Sequence, residues 1–193
     1  MSFKFEKTPL EDVILIENKK FGDERGYFME TYNNKNFVES GIDTVFMQDN
    51  QSKSQKWVLR GLHFQAQNTQ AKLVRVINGT VFDVAVDLRE KSKSFGYAIG
   101  VILSAENNKQ LFVPKGFAHW FISLEDDTVF AYKCDDLYNP QAESGINRNS
   151  PNLSRKSEDI QTICKNYNLE IKNLIISNKD KLLADFNKSN KYF

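Results

Sequence analysis

An all-β fold, an antiparallel barrel or sandwich, is what this sequence predicts, and three observations point to it. Between about residues 10 and 135, short strand-like runs follow one another with turns between them and little helical spacing. Asn78-Gly79 lies between two β-branched runs, the dipeptide that a tight hairpin prefers. Fifteen Phe and seven Tyr among 193 residues supply rings for sheet packing or for a ring-lined pocket.

Taken in order, the expected strands are ILIE (14–17), YFMETY (27–32), VFMQ (45–48), WVLRGLHFQ (57–65), KLVRVI (72–77), TVFDVAVDL (80–88), YAIGVIL (97–103), KQLFVP (109–114), HWFISL (119–124) and TVFAYKC (128–134). Each is rich in β-branched or aromatic residues, and Gly22-Asp23, Asn78-Gly79, Lys93-Ser94 and Asp126-Asp127 punctuate them. NNKNFVESG (33–41) carries Phe37 and Val38 at a helical spacing and ends on Gly41, so it reads as a short helix with a glycine stop. Residues 154–187 are richer in Lys, Asn and Leu and read as helix and loop, with Ser154 and Ser157-Glu158 as a helix start. The polar tail NKSNKY (187–192) is expected to fray. There is no internal repeat and no interdomain linker. One domain over 1–193 is expected, with a barrel core at about 10–140 and a helix-and-loop segment at about 152–187.

Charge excludes several classes of function. Twenty-six basic and 25 acidic side chains nearly cancel, and no Lys/Arg block or stripe suggests a nucleic-acid surface. The apolar runs are far shorter than a membrane span, and MSFKFEKTPLEDV at the N-terminus lacks an apolar signal core. A soluble, cytoplasmic protein is the expectation. Cys134 and Cys164 are too few for a disulfide framework or a zinc site and read as reduced packing residues.

The chemistry centres on two histidines. His63 lies in VLRGLHFQ (58–65), and His119 in FVPKGFAHWF (112–121). Imidazole titrates near neutrality, with an unperturbed pKa of about 6.5. Either histidine alone could be a satisfied core residue. Both together, with Arg60, Lys72 and Tyr132 on neighbouring runs, suggest a polar pocket inside the β-fold. Pro114-x-Gly116-x-x-His119 resembles the second half-motif of the cupin barrels, where that histidine can bind metal. The first half-motif of metal-binding cupins also needs His-x-His and Glu, and only His63 is present there. A metal-free barrel is therefore expected. His63 as base, Tyr132 as acid and Lys72, Arg60 and Arg75 as fixed charge suit proton abstraction beside a carbonyl, where a cation must steady the developing enolate. Lys72 and Arg75 are an odd number of residues apart on one strand, so only one of them need point inward.

Six motifs in order are more specific than any one of them. GDERGYFMETY (22–32), QDNQSKS (48–54), VLRGLHFQ (58–65), AKLVRVINGTVFDVAVDLR (71–89), LSAENNKQLFVPKGFAHWF (103–121) and YKCDDLYNP (132–140) together closely resemble the dTDP-4-dehydrorhamnose 3,5-epimerase family. The likeness covers roughly 5–151 and resumes at LIISNKDKLLADF (174–186). It implies a cupin-type antiparallel barrel or jelly roll with a few short helices, mostly C-terminal. The implied activity is cofactor-independent epimerisation at C3 and C5 of dTDP-4-dehydro-6-deoxy-D-glucose, on the route to dTDP-L-rhamnose and cell-surface polysaccharide. A mono-epimerase on a related keto-sugar nucleotide, or a sugar-nucleotide-binding cupin without turnover, are the alternatives.

By the same resemblance, His63 matches the proton acceptor and Asp180, in Ser177-Asn178-Lys179-Asp180, its carboxylate partner. Tyr132 matches the proton donor on the opposite face of the sugar, and Lys72 the cation beside the enolate oxygen. Arg60, His119 and Lys179 resemble ligands of the diphosphate and sugar. Gln48, Asp49 and Asn50 match residues lining the same groove, Tyr138 a ring that stacks on thymine, and Glu143 a further binding position. Arg25 and Glu30 resemble nucleotide contacts on an N-terminal strand that family members exchange within a homodimer.

Departures from the family pattern are also visible. Trp120 stands where glycine usually follows the second histidine, and its ring could narrow the pocket. Gln51 replaces a frequent histidine. Asn147-Arg148-Asn149-Ser150-Pro151 is a weak version of a Trp-Asn-Asp-Pro turn, and 152–173 matches poorly.

Overall fold

Two mainly antiparallel sheets face each other in the computed structural model, which describes residues 2–155 and 160–193, the side chains of 155, 160 and 161 excepted. The elements run β1 (Phe3–Lys7), β2 (Ile14–Asn18), β3 (Phe21–Asp23), β4 (Gly26–Phe28), α1 (Asn34–Glu39), β5 (Gln48–Ser54), β6 (Val58–Gln65), β7 (Lys72–Asn78), β8 (Thr80–Asp87), β9 (Tyr97–Ser104), β10 (Lys109–Val113), β11 (Phe117–Ser123), β12 (Thr128–Cys134), β13 (Glu143–Gly145), β14 (Ser154–Arg155), α2 (Ile160–Asn166), a 3-10 turn at Ile171–Asn173, β15 (Ile175–Ile176) and α3 (Asn178–Lys181). The first sheet has the order β1-β2-β10-β7-β12-β5 and the second β13-β6-β11-β8-β9-β14, with β15 added to the edge of β6. This is the cupin-type jelly roll, in which strands from distant parts of the chain lie side by side.

Strand alternation divides the apolar residues into three layers. Val74, Val76, Val81, Ala85, Leu111, Phe121 and Phe130 fill the space between the sheets. Residues of opposite parity on the second sheet, among them Phe82, Val84, Trp120 and Ile122, are covered by Ile146, Ile163, Leu169 and Phe186 of the C-terminal segment. On the outer face of the first sheet, Ile16, Leu73 and Phe112 pack under Phe37 of α1 and Ile42. β8 and β11 are therefore buried on both faces, so their sequences lack the alternation of a half-exposed strand. Each of the larger side chains buried in this way contributes roughly 1.5–3 kcal/mol.

Several expectations need correction. Asn78-Gly79 is not a hairpin: β7 pairs with β10 and β12, whereas β8 pairs with β11 and β9. The dipeptide instead carries the chain from one sheet to the other. Gly79 has φ +80°, and a Cβ there would lie 2.5 Å from Thr128 Oγ1, so a left-handed corner at close quarters demands glycine. YFMETY keeps strand geometry only through Phe28, in a small β3–β4 hairpin that pairs with itself. VFMQ contributes only Gln48, because the strand there is the polar QDNQSKS of β5. Ser154 lies on β14 beside Tyr97, not at a helix start; Ser157 and Glu158 fall outside the described residues. The tail is anchored, since Tyr192 and Phe193 pack edge-on against Phe64 and the Tyr192 hydroxyl accepts from the Asn187 amide.

Candidate active site

The interior between the sheets opens into a cavity of about 590 Å³, walled by β5, β6, β7, β11 and β12 and closed on one side by residues 175–180. Both histidines border it. So do Arg60, Lys72, Asn50, Tyr132, Lys179 and Asp180, while Phe121 and Phe130, stacked at 4.2 Å, supply apolar wall.

A local irregularity puts Arg60 and His63 in the same cavity. Three residues apart, they would face opposite ways on a regular strand. In β6, however, His63 lies opposite His119 and Arg60 opposite Phe121, so three steps on one strand match two on the other. That is a β-bulge. Gly61 inside it has φ +113°, and a Cβ there would lie 2.5 Å from the His119 carbonyl oxygen and 2.6 Å from Trp120 Cβ. The Trp120 ring leaves on the opposite face and packs T-shaped on Phe82 at 5.9 Å. The idea that it could narrow the pocket is thereby corrected: its parity sends it to the outer core.

Each histidine has a carboxylate. His63 Nε2 lies 2.7 Å from Asp180 Oδ1. With Nε2–H donating to Asp180, Nδ1 keeps the lone pair of a neutral imidazole. Asp180 is positioned by the start of α3, where Ser177 caps its backbone N–H, and its Oδ2 accepts a longer bond, 3.3 Å, from the Gly61 amide. His119 Nε2 lies 2.8 and 3.0 Å from the two oxygens of Asp83 on the adjacent β8. Both members of this second pair are buried.

Opposite parities along β7 sort its two cations. Lys72 borders the cavity, and Arg75 emerges on the outer face beside Asp49 and Lys133. Lys72 makes no hydrogen bond or ion pair with another described residue, and its ammonium sits 5.9 Å from the Tyr132 ring centroid. Burial draws it below the usual lysine range, opposed by the nearby Cys134, Asp83 and Glu143. Burial likewise raises the Tyr132 phenol, which therefore holds its proton at neutral pH, although the Arg60 charge pulls the other way. Cys134 beneath them is a free, buried thiol, pushed up to about 11 by burial.

The rim is a hydrogen-bonded chain. Lys179 forms an ion pair with Glu143, which also accepts from the Tyr138 hydroxyl at 2.8 Å. Gln48 accepts from the Tyr138 amide at 2.9 Å and donates to Asn50 at 2.7 Å. Arg60 is steadied by Ser54 Oγ at 3.1 Å. The structure thus brings together His63, Asp180, Lys72, Tyr132, Arg60, His119, Asn50 and Lys179 at the cavity, with Gln48, Tyr138 and Glu143 at its edge. It does not bring the other three there. Asp49, between Gln48 and Asn50, points to the other face and pairs with Lys133 at 2.7 Å. Arg25 lies at the tip of the exposed β3–β4 hairpin, paired with Asp23, and Glu30 accepts from Asn33.

Asp83 and the Phe121–Phe130 stack escaped the sequence reading. Asp83 had a signal: a carboxylate at an inward position of the apolar run TVFDVAVD requires a partner. Among the described residues, no group of three or more His, Cys, Asp or Glu side chains converges as a metal ion would need.

A family model described as dTDP-4-dehydrorhamnose 3,5-epimerase matches residues 7–188. A dTDP-4-dehydrorhamnose 3,5-epimerase of Methanothermobacter thermautotrophicus is 48% identical over 180 residues, covering 93% of this chain and 92% of that protein. The crystal structure of the Elizabethkingia anophelis enzyme of that name superposes with a TM-score of 0.87 at 46% identity, over 98% of this chain and 100% of the other. A Legionella pneumophila structure described as a dTDP-6-deoxy-D-glucose-3,5-epimerase in complex with dTDP-4-keto-L-rhamnose gives a TM-score of 0.83 at 42% identity, covering 95% of this chain and 92% of that one.

Proposed function

The chain belongs to the dTDP-4-dehydrorhamnose 3,5-epimerase family, and on that premise we propose which of its side chains carry the reaction. The enzyme is an isomerase that inverts C3 and C5 of dTDP-4-dehydro-6-deoxy-D-glucose to give dTDP-4-dehydro-L-rhamnose, in dTDP-L-rhamnose biosynthesis. His63 is the base. Its unprotonated nitrogen takes the hydrogen at the carbon beside the C4 ketone, and the C–H electron pair moves to form the enolate. Asp180 holds the ring's tautomer and steadies the imidazolium formed. Lys72 faces the enolate oxygen, where a cation in a partly dry cavity acts most strongly. Tyr132 delivers a proton to the opposite face of the carbon, inverting it, and solvent then restores both groups. The single observation that carries this reading is the His63–Asp180 pair at 2.7 Å on a cavity wall shared with Lys72 and Tyr132.

Arg60, His119 and Lys179 are assigned to the diphosphate and sugar, and Tyr138 to the base, with Gln48, Asn50 and Glu143 ordering the rim. Arginine's planar fork suits a diphosphate, and an exposed ring suits stacking. Arg25 and Glu30 are assigned to nucleotide binding within a homodimer that exchanges the N-terminal strand. The hairpin bearing Arg25 exposes Phe21, Tyr27 and Phe28, an apolar surface that a second copy would cover. A cytoplasmic location fits a chain with only two cysteines, of which Cys134 is a buried thiol. No helix among the described residues is long and apolar enough to cross a membrane.

Incubating the enzyme with the keto-sugar nucleotide in deuterated water tests the assignment. Deuterium enters at both C3 and C5. Uptake at one carbon alone marks a mono-epimerase, and none at either marks a binding protein without turnover. Light scattering on active protein tests the dimer; an active monomer would overturn it.

A further inference from the structure

Leu137 and Tyr138 are both exposed, so the loop between β12 and β13 gains little from burying these side chains. Polar side chains of neighbouring strands hold it instead. Gln65, the last residue of β6, is buried, does not border the cavity and has no part in the scheme above. Its Oε1 accepts from the Asn139 amide at 2.7 Å. Its Nε2 donates to the Leu137 carbonyl at 3.3 Å and to the Asn68 carbonyl at 2.7 Å. This carboxamide fits only one way round: turned over, its oxygen would face two carbonyl oxygens and its NH2 the Asn139 N–H. Between the bonds to Leu137 and Asn139 lies Tyr138, whose own amide donates to Gln48 Oε1 at 2.9 Å. Backbone groups of three successive residues are therefore held by two glutamines, one on β5 and one on β6. The far end of the tyrosine is fixed as well. Its hydroxyl donates to Glu143 at 2.8 Å, and Glu143 lies opposite Gln65 in the β6–β13 pairing.

We propose that Gln65 is a positioning residue for nucleotide binding: it fixes the loop at Leu137 and Asn139 so that the Tyr138 ring stands ready to stack on the base. The proposal rests on the reading of Tyr138 as the ring that meets the base. Stacking needs a flat face at a set place, and a ring on a loose loop would lose its freedom only when the ligand arrives, which weakens binding. A ring held in advance, at its backbone and at its hydroxyl, has already given that freedom up on folding. Gln70 illustrates plain anchoring of the same loop, with one bond to the Asp136 carbonyl at 2.8 Å. Gln65 instead brackets the exposed ring on both sides. Because Gln65 does not border the cavity, its effect falls on affinity for the base and not on proton transfer.

The test compares two ligands, dTDP and inorganic pyrophosphate, of which only the first carries a base. Their dissociation constants are measured by calorimetry, and KM and kcat by deuterium uptake, in the wild type, Gln65→Met, Tyr138→Ala and the double variant. Methionine fills the space of glutamine and removes all three bonds. Gln65→Met binds dTDP about fivefold more weakly and raises KM by a similar factor, while kcat and pyrophosphate affinity stay as they were. Tyr138→Ala weakens dTDP by about tenfold. Adding Gln65→Met to it changes nothing further, since no ring is left to position. Equal losses for dTDP and pyrophosphate would mean general damage to the site and overturn the proposal. So would unchanged dTDP binding in Gln65→Met, or losses that simply add in the double variant. If Gln65→Met does not fold, Gln65→Glu takes its place, because it keeps the oxygen facing Asn139 and gives up both donors. If neither folds, Gln65 serves the fold alone and the proposal falls. A Tyr138→Ala protein that binds dTDP as the wild type does would strike the assignment of Tyr138 to the base, and the proposal with it.

Discussion

The two His–Asp pairs are chemically alike and structurally opposite. His119 and Asp83 sit on adjacent strands of one sheet, with side-chain exposures of 8% and 0%. His63 and Asp180 come from elements 117 residues apart, with exposures of 30% and 5%. In the first pair both Asp83 oxygens lie within 3.0 Å of the ring, and Phe130 stacks on the imidazole at 6.1 Å, so little can move. In the second, one ring nitrogen is held and the other is left for the cavity. The difference teaches that a His–Asp contact alone does not mark a base. What marks it is an imidazole anchored on one side, open on the other, with an acid and a cation in the same cavity.

Substitutions can break that comparison, and the largest effect separates the two rings. His63→Ala should reduce deuterium uptake at C3 and C5 by about 10³-fold or more, as loss of a general base does. His119→Ala should cost about 10- to 100-fold, mostly as a higher KM. Equal losses of kcat in the two variants would erase the distinction. Next come the carboxylates. Asp180→Asn should lower kcat by roughly 10²-fold while hardly changing stability. Asp83→Asn should instead destabilise the fold by about 1–3 kcal/mol, because it disturbs a fully buried pair; chemical denaturation reads that difference, and a fully stable Asp83→Asn protein would contradict it.

Lys72 sharpens the contrast from the other side of the cavity. Lys72→Met should cost about 10²-fold in kcat, yet raise stability by about 1 kcal/mol by removing a desolvated charge that has no ion-pair partner among the described residues. A melting temperature that falls would mean that the ammonium holds the fold together. The smallest effect is in pH. Burial lowers the Lys72 pKa, so its charge disappears on the alkaline side at a lower pH than that of a free lysine, about 10.4. The basic limb of kcat should therefore lie below that value. Lys72→Arg, which stays charged, should move the limb upward despite a lower plateau.

Much of the fold was legible because apolar strands mark themselves. The runs at 72–77, 80–88, 97–103, 109–114 and 128–134 became strands nearly as read. The failures have physical causes. β5 carries polar residues because its side chains meet the cavity rim on one face and charged neighbours on the other, so no apolar pattern announces it. Asn78-Gly79 satisfies a hairpin and a corner between sheets equally well, since both need a left-handed glycine, and only long-range pairing decides. At the site, His63, Lys72 and Tyr132 stood out by residue type. Asp180 was visible only through resemblance, because nothing local in SNKD distinguishes a cap from a catalytic partner. Asp83 was readable by parity and went unread. Asp49 was grouped with Gln48 and Asn50, although alternation already assigns it to the other face.

The bulge at Gly61 leaves the function of β6 hanging on a single codon. Without the bulge, at unchanged chain length, β6 would alternate regularly and could still pair with its neighbours. Arg60 and His63 would then look in opposite directions, and the protein would persist as an inert shell around a cavity with no base. For this scaffold, the shortest path between enzyme and bystander is a shift of phase along one strand rather than a change of chemistry.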